Sequence, residues 1–435
     1  MNRFVKILLT VICLTLIVGN LIACNVSGVT LLSKAASAER LSYSERNDEG
    51  LDMILSSANG FASSFSAEAY KDYDGGANFA VAPISVYMAL SIAAQCASQD
   101  TRSEVLAALG ITYDQLQSNF SVLYRSLIAE YTTNTGAVAG RVQLSNSIWI
   151  DKSATAKSDC INTLADKFYC YSYSADFAGD NKGANREIRK FVKEQTHNLI
   201  DRDFNLSEDT LFTLINTLYL KDVWNDTGKD LPFAVGQYSF VESDGNVKST
   251  SLLQGYYERG RVVETDSYTH FYVSTEHGYK VKFILPKDGY TVDDVFTAEN
   301  IATVNSIADY NADDEENMIH YYTRCLFPEF GASYDKDVKD ILQRSFGINA
   351  LFEDCNFSTL TNNNVYCGGV KHVTELKVNK KGIEGAAVTV LPMVGEAGPD
   401  GWETVYYDYV VDRAFAFVIT DRYDTTIFSG VIGNI

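Results

Sequence analysis

Apolar residues recur at helical spacing from Leu51 to Phe65, and a turn at Asp72 to Gly76 then leads through Phe79-Ala80-Val81 to Pro83. Proline suits the first position of a helix, and Val86, Met88, Ala89, Ile92 and Ala93 behind it form one apolar face. Arg102 to Leu109 reads as a further helix, stopped by Gly110. The pattern stays helical to about residue 200, broken by the strand-like LSNSIWI at 144–150, and then it changes. The nearly unbroken apolar run LFTLINTLYL at 211–220 predicts a strand covered on both faces. Further strands are predicted at 281–286, 326–330, 372–378, 404–411 and 414–420, the last turning at Asp421 to Thr426 and returning as IFSGVIGNI. Helices first and strands later, without strict alternation, predict an α+β fold with large sheets. No internal repeat or linker divides residues 51–435, so they read as one domain.

Ahead of that domain lies a targeting pattern. Arg3 and Lys6 precede an apolar run from Ile7 to Val18, too short to span a bilayer comfortably. The run ends in Leu21-Ile22-Ala23-Cys24, which resembles a bacterial lipoprotein signal. That resemblance implies cleavage of residues 1–23, lipidation of Cys24, and display on the outside of a bacterium with the lipid as the only membrane attachment. A plain secretory signal or an uncleaved anchor are the alternatives. Residues 24–50, rich in Ser, Ala and charge, are expected to form a flexible stalk. Export permits disulfides, and short separations favour Cys160 with Cys170 and Cys355 with Cys367 among the fifteen possible connectivities of six cysteines.

A formal charge of -20 argues against a nucleic-acid partner, because neutralising phosphates needs Lys and Arg. The five histidines form no HExxH pair and no CxxC pattern is present, so no metal site is expected. Neither a GxSxG elbow nor a GxGxxG or GxxxxGK[ST] loop occurs. The reading is of a protein that is not an enzyme and needs no cofactor.

One stretch fits none of these elements. Gly382 to Gly401, GIEGAAVTVLPMVGEAGPDG, is too small for a good core strand and too apolar for an ordinary loop. Its neighbours carry an ordered set of motifs: NFAVAPIS at 78–85, Met88-Ala89-Leu90, Asp100-Thr101, LSNSIW at 144–149 and LINTLYLKDVW at 214–224. FILPKDG at 283–289, FPEF at 327–330, NFS at 356–358, HVTELKVNKKGIEGAA at 372–387 and the terminal FSGVIGN follow. In this order, over residues 50 to 435, the chain resembles a serpin.

The resemblance implies three β-sheets, about nine helices and an exposed reactive-centre loop. It also implies a monomeric inhibitor of serine proteases, or secondarily of cysteine proteases, that acts as a suicide substrate and ends in a covalent acyl complex. The alternative is a serpin-fold protein that no longer inhibits and serves as a simple substrate, scaffold or carrier. Ser85, Asn216 and His372 match the polar cluster beneath the centre of the family's main sheet, and Trp224 the buried tryptophan near its top. Gly382, Ile383, Glu384, Gly385, Ala386, Ala387, Val388 and Thr389 match the loop's hinge, and the scissile bond falls between Glu396 and Ala397, with Met393 or Val394 as alternatives. Side chains alternate along a strand, so Ile383, Gly385, Ala387, Thr389, Leu391 and Met393 would share one face, all uncharged and able to enter a core. Four positions depart from the family: Ala82 for the usual Ser, Lys380 for the usual Glu, Ile383 for the usual Thr or Ser, and Pro392, which cannot donate a ladder bond. Ile383 is expected to slow insertion, and Lys380 to lose or reverse the hinge's ion pair.

Overall fold

The computed structural model describes residues 28 to 435 except 43–44, 46–48, 75, 134–135, 225–229, 259, 261, 308–313, 315, 354, 364, 366, 368 and 384–400. Nine helices stand among the described residues: α1 (Glu49–Lys71), α2 (Pro83–Cys96), α3 (Gln99–Leu109), α4 (Tyr113–Leu127), α5 (Ser158–Lys167), α6 (Asn181–Gln195), α7 (Val292–Val295), α8 (Ala298–Ser306) and α9 (Lys339–Phe346). The predicted signals act where expected. Pro83 opens α2, and Gly110 ends α3 in a left-handed turn at φ 67°. α2 is buried on every side, Val86, Met88 and Ile92 included, because it runs beneath the sheets rather than along their surface.

The main sheet runs β1 (Thr30–Ser33), β5 (Cys170–Ala175), β4 (Val138–Asp151), β6 (Phe212–Val223), β16 (Gly382–Ile383), β15 (Lys371–Asn379) and β14 (Phe330–Asp337). A single bridge, Ser333 to Phe79, joins it to a second sheet of β2 (Asn78–Val81), β19 (Thr426–Ile432), β18 (Phe415–Thr420), β12 (Lys280–Pro286), β11 (Tyr268–Ser274) and β10 (Val263–Glu264). The third sheet is β17 (Glu403–Val410), β13 (Ile319–Phe327) and β9 (Leu253–Glu258). This is the α+β, three-sheet, nine-helix architecture expected. The region before residue 200 is less helical than its pattern suggests, because β1, β3 (Ala129–Thr132), β4 and β5 all fall there.

Two expectations are corrected. Residues 24–50 are not a free stalk, since from residue 28 onward much of the segment is bound to the body. β1 pairs antiparallel with β5, Leu41 is buried in the core, and the Arg125 guanidinium holds Glu45 through two bonds of 2.8 and 3.1 Å while donating to Glu39 O. The six cysteines between 96 and 367 are free thiols, so neither expected disulfide is formed.

The β18–β19 turn carries a buried acid. Asp421 Oδ1 accepts the N–H groups of Tyr423 and Thr425, each at 2.9 Å. Burial pushes its carboxyl up to about 6, against the pull of those two donors. The folded pKa lies above the ordinary 3.8, so the stability Asp421 contributes is fully present below pH 3.8 and is lost as pH rises through 6. Asp421→Asn keeps the acceptor without the buried charge. It is expected to stabilise the protein by about 1 to 3 kcal/mol at pH 7.5 and by almost nothing at pH 4, as read by denaturant unfolding at both values.

Candidate functional site

Strands β6 and β15 run side by side in the main sheet, yet among the described residues no register joins them directly. They meet through β16, which is antiparallel to both: Gly382 pairs with Val223 and Asn379, Ile383 with Asp222 and Val378. Gly382 and Ile383 therefore form a short strand already inside the sheet. Gly382 is required there, because its φ is +145° and a Cβ would stand 2.0 Å from Asp222 O. Ile383 is fully buried, worth roughly 1.5 to 3 kcal/mol of apolar burial. Ile383 thereby holds β16 between β6 and β15.

The turn ahead of it, Asn379 to Lys381, is fixed at several points. Trp224 Nε1 donates to Asn379 O at 2.8 Å, with its ring edge-on to Phe327. Leu231 N donates to Lys380 O, Lys380 N to Glu329 Oε1 and Lys381 N to Asn379 Oδ1. Lys380 Nζ also pairs with Asp230 Oδ2 at 3.0 Å.

Lower down, Ser85, Asn216 and His372 line one narrow cavity between β6 and β15, roofed by Val192, Ile200, Phe204 and Leu206. Ser85 Oγ donates to Asn216 Oδ1, and Asn216 Nδ2 donates to Asn146 Oδ1 at 2.6 Å. Asn146 Nδ2 continues the chain to Phe168 O at 2.9 Å. His372 stands across the cavity on β15. Its Nε2 accepts the backbone N–H of Ala82 and the hydroxyl of Thr374, both at 3.1 Å. That bonding calls for the unprotonated nitrogen, and burial of the ring pushes its pKa down to about 4, so His372 is neutral at pH 7. Ala82 lacks the family's hydroxyl, but its main-chain N–H links α2 to β15.

Three partners of this site had no signal in the sequence. Asn146 lies within a quoted motif, but nothing marks it as the bridge between β4 and β6. Asp222, buried on β6 opposite Ile383, accepts from His277 Nδ1 at 2.5 Å and from His277 N at 3.1 Å. The His277 ring in turn lies flat on Tyr131, with centroids 3.7 Å apart. These contacts brace the upper end of β6 beneath the hinge. Glu384, Gly385, Ala386, Ala387, Val388, Thr389, Met393, Val394, Glu396 and Ala397, together with Cys24, lie outside the described residues. The chain returns at Gly401, and Glu403 starts β17, parallel to β13.

A family model described as Serpin (serine protease inhibitor) matches residues 56–435. Among curated relatives, putative serpin-Z6A of Oryza sativa subsp. japonica is 25% identical over 373 residues, covering 81% of this chain and 92% of its own. Iripin-2 of Ixodes ricinus is 26% identical over 375 residues, covering 82% and 88%. Neuroserpin of Homo sapiens is 23% identical over 366 residues, covering 80% and 84%. In three dimensions the chain is similar to the thermophilic serpin tengpin in its native state, with a TM-score of 0.71, 20% identity, and coverage of 94% of this chain and 100% of that one. It is also similar to thyroxine-binding globulin complexed with thyroxine, at TM-score 0.70 and 20% identity over 88% and 99%.

The Lys380–Asp230 pair can be tested by reversing its charges. Lys380→Glu places a carboxylate against Asp230 and near Glu329 and is expected to lower the melting temperature slightly, as for a solvent-screened pair. Adding Asp230→Lys should restore most of the loss in thermal unfolding at low salt, and raising the salt should shrink both effects.

Proposed function

Since the chain belongs to the serpin family, we propose that it inhibits a serine protease as a suicide substrate, using the loop between Ile383 and Glu403 as bait. The protease's serine attacks the carbonyl of Glu396, with Met393 or Val394 as the alternative sites, and expels the amine of the next residue. The acylated loop end then follows Gly382 and Ile383 between β6 and β15, drawing the protease with it before water completes hydrolysis. About a dozen new ladder bonds at ~0.5 to 1.5 kcal/mol each contribute on the order of 10 kcal/mol, comparable with the stability of a whole domain. The inhibitor supplies no catalytic group of its own.

The seating of Gly382 and Ile383 between the two strands carries this reading, because insertion then extends an existing strand instead of nucleating one. A glutamate at the cut suits a glutamyl-specific protease, and Met393 or Val394 an elastase-like one. Lipidation at Cys24 would hold a monomeric inhibitor on the surface of a bacterium, where its targets are extracellular proteases, with cysteine proteases as the second class. The competing reading, a non-inhibitory serpin cleaved as a plain substrate, draws on Pro392, whose missing N–H would leave one ladder position unpaired on full insertion.

Incubation with glutamyl-specific and elastase-like serine proteases decides between them. The expected product is a covalent complex that survives denaturing electrophoresis, beside a cleaved form that melts well above the intact chain. Cleavage without complex, or a nicked form no more heat-resistant than the intact one, overturns the proposal. Ile383→Arg forces a charge into the buried position and should turn the protein into a substrate, raising the inhibitor consumed per protease blocked by about tenfold or more.

A further inference from the structure

The third sheet has an outer face that its own chain only half covers. In the order β17–β13–β9, Tyr322 stands opposite Tyr406, and Arg324 stands opposite both Asp408 and Tyr256. Opposite residues share a face and side chains alternate along each strand, so these five lie on one side of the sheet. Cys325 and Phe327 point to the other side and are fully buried in the core. Cover on the outer side is confined to one end, where Ala234 and Leu252 close over Leu326, with Tyr238 and Val410 packed against them.

The other end, toward Glu403 where the chain returns from the bait loop, carries a row of tyrosines. Tyr406 is 75% exposed and Tyr256 38%, and the ring of Tyr322 lies between them, its centroid 5.7 Å from that of Tyr406 and 6.0 Å from that of Tyr256. Beside the row Arg324 grips Asp408 with two bonds, Nε to Oδ1 at 2.8 Å and Nη2 to Oδ2, so the charges on this face neutralise each other. Ten large hydrophobic side chains are exposed among the described residues, and Phe233, Val235, Tyr256, Met318 and Tyr406, half of them, lie on this sheet or next to it. A concentration of this kind marks a contact surface, and tyrosine is enriched at such surfaces because a rigid ring covers much area while its hydroxyl tolerates water.

We propose that the Tyr256–Tyr322–Tyr406 row is a second docking surface for the protease that takes the bait, meeting an apolar, uncharged patch of that protease outside its catalytic cleft. This rests on the inhibitory reading above and says where the partner lies. Chain length selects the occupant. Tyr406 follows the Glu396–Ala397 bond by nine residues, a reach of at most about 30 Å. A specific complex covers about 800 Å² on each partner, a patch of similar width, so a protease seated on that bond has its rim over the loop end of the third sheet. Two ordered surfaces bound the loop, the seam around β16 and the start of β17. Exposed aromatic rings stand at the second and not at the first among the described residues. The row therefore selects among proteases that accept the same bait sequence.

The test uses the full chain and whichever of an elastase-like and a glutamyl-specific serine protease cuts the loop faster, both in active form and with its catalytic serine changed to alanine. The inactive protease binds without cleaving, so docking is read apart from trapping. Tyr322→Ser with Tyr406→Ser is expected to weaken that binding by about tenfold or more in surface plasmon resonance, and a peptide of residues 382–403 to bind no better than this double variant. Tyr406→Phe, which keeps the ring, should lose less than about threefold. With the active protease the double variant should form complex about tenfold more slowly, at an unchanged number of inhibitor molecules consumed per protease blocked. Amide hydrogen exchange at 320–324 and 403–408 should slow when the inactive protease binds. Equal binding by wild type and variant, or unchanged exchange in those strands, overturns the proposal, as does a wild-type chain that dimerises and binds protease better after Tyr406→Ser. Tyr406→Ser alone, at an exposed position, decides the matter where the double variant fails to fold. Cleavage without a covalent complex defeats the inhibitory reading, while binding of the inactive protease still decides the docking surface.

Discussion

A β-strand in the middle of a sheet must have both edges hydrogen-bonded, and the rest of this molecule is arranged around two strands that do not satisfy that demand with each other. β6 and β15 are joined, among the described residues, by the two residues of β16. An ordinary fold would close such a pair with a permanent strand. In the sequence beyond Ile383, Gly385, Ala387, Thr389, Leu391 and Met393 share one alternation and are all uncharged, a pattern able to enter a core.

The polar cluster beneath the opening follows from the same demand. Leu and Phe at positions 85, 216 and 372 would fill the space at higher packing density, but a close-packed apolar seam resists sliding because every contact along it is lost together. Ser85, Asn216, Asn146, Thr374 and His372 are instead joined by discrete hydrogen bonds, each directional and each worth about 1 kcal/mol net. The cost of burying such groups is met only while they stay paired, so the cluster specifies the closed arrangement without making it rigid. His372 adds a condition of its own. Held neutral by burial, it accepts a main-chain N–H, and a proton on Nε2 would set two donors against each other.

Much of this was legible in the chain. The strands at 211–220, 281–286, 372–378 and 414–420, the start of α2 at Pro83 and the end of α3 at Gly110 are local signals and appear where the pattern puts them. What escaped reading is consistently non-local. β1 gains its identity only from β5, some 140 residues away, so Thr30 to Ser33 looked like tether. Asp230 is invisible as the partner of Lys380, and His277 as that of Asp222, since neither pair has a sequence spacing to betray it. Cysteine pairing by proximity in sequence failed for a similar reason. Cys160 and Cys170 are ten apart, but Cys160 lies in the first turn of α5 and Cys170 opens β5.

Gly382 connects the local and the non-local accounts. Its backbone is one that only glycine adopts without strain, and even with the strain accepted a side chain would collide with the carbonyl of Asp222. The chain can therefore pass from the Asn379–Lys381 turn into the sheet at this one residue, with β6 approached as closely as strands allow. Everything upstream is pinned by Trp224, Glu329, Asp230 and Leu231. The point at which the chain enters the sheet is consequently fixed by sterics and hydrogen bonding together, whereas the exposed Lys380–Asp230 pair adds little energy. A charge pair works in either orientation, but neither the missing Cβ nor the indole donor has a substitute.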